Sequence, residues 1–194
     1  QTRVIALDGL LLLSILCSLF FFLLGQKQEN WKKRIGFWIL AGGFSGLSVG
    51  TKFTGLVAPA LLACLLLKEL RGSGDFRAIG RKALWMLSSF VFVYLLGWVL
   101  HFQILDQPGP GDAFYRTTAS FPTDVIKLHR TMLDRNAAIT TKHPDASFWW
   151  QWPTMQKPLF YWSNPDGDLF FVGNPVVWWG SSLLFLFFVL SFVI

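Results

Sequence analysis

The residues best equipped for chemistry in this sequence are few and widely spaced. His143 and Ser147 fall in HPDASFWWQWP, residues 143–153, with Asp145 between them and Trp149, Trp150 and Trp152 following. Pro144 restricts His143 to an extended conformation, so its ring is displayed from a turn rather than packed on a helix face. A histidine with an ordinary pKa of about 6.5 donates to phosphate when neutral and pairs with it when charged. Lys52 lies within GTKFTG, residues 50–55, and Arg3 stands five positions before Asp8. Arg3 and Asp8 read as an ion pair near a membrane surface or, alternatively, as an arginine holding an anionic headgroup. Asp112 follows the stiff Pro/Gly turn of QPGPGDAF, where it is placed to accept from free amides as an N-cap. The three tryptophans serve either as membrane-interface residues or as stacking surfaces for a sugar. Three scattered histidines do not make a metal site. HExxH, Walker, GxSxG and Rossmann signatures are all absent.

The elements that must position these groups are membrane spans. Of 194 residues, 53% are hydrophobic, 17% aromatic and only 14% charged, which is too apolar for a soluble domain and marks an integral membrane protein. The chain starts at Gln1 and stops inside an apolar run, so it reads as a fragment. Its first apolar run lacks a basic leader and contains Asp8, which argues for a span rather than a signal peptide. Cys17 and Cys64 sit in apolar runs as small hydrophobes and leave the redox compartment unread.

A crossing needs about 20 apolar residues. The pattern predicts helices near 4–24, 36–49, 56–67 and 83–102, an outer loop over 104–174, and the start of a further span over 175–194. Residues 36–67 read as two short helices joined at GTKFTG, with Lys52 at the tip, because a cation in mid-span costs roughly 2.5 to 3.5 kcal/mol. Segments 26–35 and 68–82 each carry a net charge of +3, whereas 104–174 carries −1. By the positive-inside rule both basic segments are cytoplasmic, which places Arg3, Lys52 and the long loop on the opposite face. Within that loop, residues 122–139 suit either an amphipathic helix on the membrane or a solvated connector. In GNPVVWW, Asn174 caps and Pro175 begins the last span, with Trp178 and Trp179 at the interface.

QTRVIALDGLLL, GLSVGTKFTGL, LHFQIL followed by GPGDAF, HPDASFWWQWP and GNPVVWW occur in one order over nearly the whole chain. In that order they resemble protein O-mannosyltransferases, polytopic GT-C glycosyltransferases that use dolichyl-phosphate mannose. The resemblance implies an all-α transmembrane helix bundle with a long outer loop containing short amphipathic helices. It implies inverting transfer of mannose from a polyprenyl-phosphate carrier to Ser or Thr of a translocated protein, at a site on the outer or lumenal face. Arg3, Lys52, His143 and Ser147 then become candidates for the lipid phosphate or donor, and Asp112, Asp145, Trp150 and Trp152 for sugar or acceptor contacts. The family's acidic pair, which includes the expected general base, would lie before Gln1. Where the family commonly has an aromatic after His-Pro, this chain has Asp145. The outer loop has no room for the β-trefoil MIR insertion of eukaryotic members, which points to a bacterial-type enzyme in the plasma membrane with its site facing outside; a eukaryotic one would sit in the endoplasmic reticulum membrane. No cofactor is required, and whether a divalent ion assists stays open. The partners implied are the lipid-linked sugar, the acceptor protein and the bilayer, not nucleic acid. Another GT-C transferase with a different sugar or a lipid or glycan acceptor, and a non-catalytic membrane component, remain the alternatives.

Overall fold

The computed structural model describes residues 7–105, 107, 118, 120–140, 146–165 and 167–190. Two compact units divide the chain, residues 1–132 and 133–194. The first contains α1 (Asp8–Lys27), α2 (Trp31–Thr51), a 3-10 turn at Phe53–Leu56, α3 (Val57–Ser73) and α4 (Phe76–Ile104). Helix α5 (Phe121–Ala137) has its two buried residues, Asp124 and Leu128, in this unit.

Helix ends are set by local hydrogen bonding. The Asn30 side chain accepts from the amides of Lys32 and Lys33 at 3.0 and 3.3 Å to start α2. Asp75 accepts from Ala78 at 2.9 Å to start α4. Between α3 and α4 the left-handed Gly74, at φ 67°, returns its amide to the Leu70 carbonyl. These caps lie outside the predicted spans, so the helices are longer than the apolar runs. Trp31–Thr51 encloses 36–49, and Val57–Ser73 runs beyond Leu67. Most of the basic residues of 26–35 and 68–82 therefore ride on the ends of helices. Hydrophobic thickness limits a span, not the helix that contains it.

Asp8–Lys27, Phe53–Ser73 and Phe76–Ile104 are long and apolar enough to cross a membrane, with mean hydropathies of 2.2, 1.7 and 2.0. The protein is an integral membrane protein, all-α in its membrane part, as the sequence predicts. Large apolar side chains such as Leu12, Leu16, Phe20, Leu84 and Phe92 are exposed, whereas Ser14, Ser18, Ser45 and Ser48 are almost wholly buried. Lipid is as apolar as leucine, so close packing and interhelical hydrogen bonds drive assembly instead. Helix α2 packs on both α1 and α4 and supplies most of the small residues. A Cβ at Gly42 would stand 2.1 Å from the Met86 carbonyl oxygen, and one at Gly46 2.5 Å from that of Phe90. Gly42 and Gly46 therefore let the α2 and α4 backbones touch. On the other face, the Ser18 hydroxyl donates across to the Ala41 carbonyl at 2.9 Å.

The second unit contains a 3-10 turn at Trp149–Gln151, an antiparallel hairpin of β1 (Leu159–Asn164) and β2 (Gly167–Phe171), and α6 (Pro175–Leu190). Leu159 pairs with Phe171 and Asn164 with Gly167, with a register irregularity between Phe160 and Trp162. The hairpin is an addition to the helices predicted for 104–174. Asn174 caps α6, its side chain accepting from Val176 at 3.0 Å.

Candidate functional site

At one end of the first unit, the turn after α2 presents Lys52. Its backbone is extended, at φ −162° and ψ 142°, and its amide still bonds to the Ser48 carbonyl. The Ser48 hydroxyl is shared between the carbonyls of Ser45 at 2.7 Å and Gly55 at 3.0 Å. Gly55 is pressed so closely onto this turn that a Cβ there would lie 2.1 Å from the Ser48 oxygen. These contacts make the lysine's backbone a fixed point at the end of a packed helix.

The Lys52 ammonium pairs with Asp8 Oδ1 at 3.1 Å, and the two side chains are 53% and 67% exposed. Of the two groups considered for Arg3, Asp8 is thus engaged by Lys52. So exposed a pair contributes less than about 1 kcal/mol to stability, and either partner can exchange it for a ligand.

A cavity of about 360 Å³ opens beside Lys52, walled by Phe53, Tyr94, Trp98, His101 and Met132. Tyr94, Trp98 and His101 recur at helical spacing on α4 and share one face. Against them His129 of α5 is caged by the rings of Phe53, Tyr94 and Trp98, at centroid distances of 6.1, 5.9 and 5.1 Å. His129 Nδ1 lies 2.6 Å from the Val125 carbonyl, which can only accept, so Nδ1 carries a proton. In the neutral ring, Nε2 then accepts from the Tyr94 hydroxyl at 2.5 Å. Neither His129 nor Tyr94 is among the residues singled out from sequence. The available signal was the spacing of 94, 98 and 101 on one helical face.

In the second unit, Ser147 Oγ accepts from Trp152 Nε1 at 3.0 Å, which leaves its own proton to donate elsewhere. Ser147 and Trp152 line a cavity of about 320 Å³ with Met155, Lys157, Phe171 and Trp178. Trp178 Nε1 donates to the Trp152 carbonyl, and Trp179 Nε1 to that of Thr154 at 3.3 Å. The indoles read from sequence as interface residues thus also fasten the 149–155 turn to the start of α6. Trp150 stacks on Phe148, at 4.3 Å between centroids and 8° between planes.

Arg3, Asp112, His143 and Asp145 lie outside the described residues. Among the described residues, no group of His, Cys, Asp and Glu is arranged to hold a metal ion. The chemistry on view is that of anion recognition: an exchangeable ammonium over an aromatic cavity in one unit, and a free hydroxyl proton beside indole rings in the other.

A model of the family described as dolichyl-phosphate-mannose-protein mannosyltransferase matches residues 1–105. A second, described as the C-terminal four TMM region of protein-O-mannosyltransferase, matches residues 121–194. The chain is 27% identical over 178 residues to dolichyl-phosphate-mannose--protein mannosyltransferase 4 of Candida albicans, covering 83% of this chain and 23% of that protein. It is 33% identical over 78 residues to protein O-mannosyl-transferase 2 of Drosophila pseudoobscura pseudoobscura, covering 40% of this chain and 10% of that protein. The chain thus spans less than a quarter of the length of these relatives. No solved structure matches it.

Proposed function

Because the chain belongs to the dolichyl-phosphate-mannose-protein mannosyltransferase family, we propose that it forms part of an inverting glycosyltransferase moving mannose from a polyprenyl-phosphate carrier to Ser or Thr hydroxyls of translocated proteins. The observation that carries this reading is Lys52, an exposed ammonium held at the end of α2 beside an aromatic cavity. Breaking the bond between sugar and phosphate leaves the carrier phosphate with an additional negative charge. A cation fixed next to that oxygen is worth more in the transition state than in the ground state. Asp8 neutralises Lys52 until the donor arrives and, as an exposed partner, gives way at little cost.

Ser147 would add a hydroxyl donor to the phosphate or the sugar. Arg3 and His143 complete the lipid-phosphate assignment, and Asp112, Asp145, Trp150 and Trp152 the sugar or acceptor contacts. Family likeness and side-chain chemistry support these roles. The basic helix ends would face the cytoplasm and Lys52 the outside of a bacterial plasma membrane, or the lumen in a eukaryotic host. Charge distribution supports this orientation. The short stretch between α4 and α6, residues 105–174, supports the bacterial type.

The test uses the full-length protein in membrane vesicles, supplied with labelled polyprenyl-phosphate mannose and a Ser/Thr peptide. Mannose is transferred by the native protein, and transfer falls about 100-fold in Lys52→Ala and in His143→Ala, with insertion unchanged. Normal turnover in both variants removes these residues from the site. Transfer of another sugar from a panel of lipid-linked donors identifies a different GT-C enzyme, and no transfer from any donor favours a non-catalytic component.

A further inference from the structure

We propose that the other, basic end of the first unit binds the headgroup of an anionic phospholipid in a pocket between α2 and α4. A cavity of about 590 Å³ lies there, walled by Trp31, Arg34, Trp38, Arg81 and Trp85. Its volume falls within the range of about 300 to 1,000 Å³ typical of small-molecule sites.

The base of the pocket is electrically closed. Lys82 is only 4% exposed, and its ammonium is held by both Glu69 oxygens at 2.5 and 2.6 Å and by Gln26 Oε1 at 3.1 Å. Gln26 returns its amide proton to Glu69 Oε2 at 2.7 Å. With Lys82 buried and Glu69 32% exposed, this fully bonded pair is neutral as a unit, and breaking it would strand the buried ammonium. Glu69 therefore has nothing left to neutralise the arginines above it.

Those arginines are the recognition groups. Arg34 lies over the Trp38 ring at 5.6 Å, and neither Arg34 nor Arg81 has a carboxylate partner among the described residues. Two spare guanidiniums over a neutral floor form a dication, and the planar fork of each matches phosphate oxygens bidentately. Three tryptophans around them supply the amphipathic surface that settles at headgroup level.

Location argues for a lipid rather than a soluble anion. The pocket is built on α2 and α4, and α4 is long and apolar enough to span. Leu84 and Leu87, 62% and 59% exposed, follow Arg81 along α4. A phosphodiester between the guanidiniums would thus leave its acyl chains beside apolar surface. Nothing in this site depends on the sugar-transfer reading.

Native mass spectrometry of the full-length protein tests the proposal, with short-chain phosphatidylglycerol, short-chain phosphatidylcholine and inorganic phosphate as probes. One phosphatidylglycerol binds in preference to phosphatidylcholine. The double variant Arg34→Gln/Arg81→Gln weakens it about 30-fold, since each basic residue near an anionic lipid contributes about fivefold. The control Arg71→Gln/Arg77→Gln removes equal charge from the same end but not from the pocket, and leaves binding unchanged. An equal loss in the control, no loss in the pocket variant, or inorganic phosphate bound as tightly as the lipid would each overturn the proposal. Should the double variant fail to fold, Arg81→Gln alone, at an exposed position, carries the comparison with an expected loss of about fivefold.

Discussion

Lys52 is the residue on which the proposed function turns, and its charge should matter more than its shape. Lys52→Arg is expected to retain transfer within about tenfold of native, whereas Lys52→Ala loses about 100-fold, both read as turnover with lipid-linked mannose. A second residue-level test concerns stability. Tyr94→Phe removes the hydroxyl that donates to His129 and should cost about 1 kcal/mol, seen as a lower midpoint in thermal unfolding of the detergent-solubilised protein. The sequence made Lys52 legible because a cation in an apolar run has to be explained. His129 was not legible: its environment is made by rings of α4 and the α2–α3 turn, brought to it by tertiary packing. Arg3, Asp112, His143 and Asp145 stand on chemistry and likeness alone.

At the scale of elements, the close approach of α2 and α4 is the joint that holds the bundle. Gly42→Ala or Gly46→Ala forces a Cβ into the facing carbonyls and should destabilise by several kcal/mol, measured as loss of folded protein on heating. Gly50→Ala is the matched control, since its nearest neighbour is Tyr94 at 4.0 Å, and should be close to neutral. Gly55→Ala is expected to behave like the first pair, with the added effect of displacing Lys52. Three long apolar helices could be read from hydropathy, because a helix that faces lipid must be apolar along its length. Their ends could not, since Asn30, Asp75 and Gly74 act through local hydrogen bonds outside the apolar runs. The hairpin did leave a trace, the turn residues Asn164-Pro-Asp-Gly167 between two aromatic stretches, but in an aromatic-rich chain such stretches read equally well as interface anchors.

For the whole molecule, the division of charge predicts sidedness. In a background with Cys17 and Cys64 replaced, a membrane-impermeant maleimide added to intact cells should label Gln156→Cys and not Gln28→Cys or Ser73→Cys; inside-out vesicles should give the reverse. Labelling of all three from one side would reject the proposed topology. The makeup of α2 has a consequence for how the protein is made. Its inner face is glycine and serine, and α2 is not among the helices apolar enough to span on their own merits. A translocon sorts each emerging segment by its preference for lipid, and α2 offers it little. It should enter the bilayer only alongside its neighbours, so a reporter carrying α2 alone will insert less often than one carrying α1, and the α2–α4 contact becomes a step in biogenesis as well as in folding.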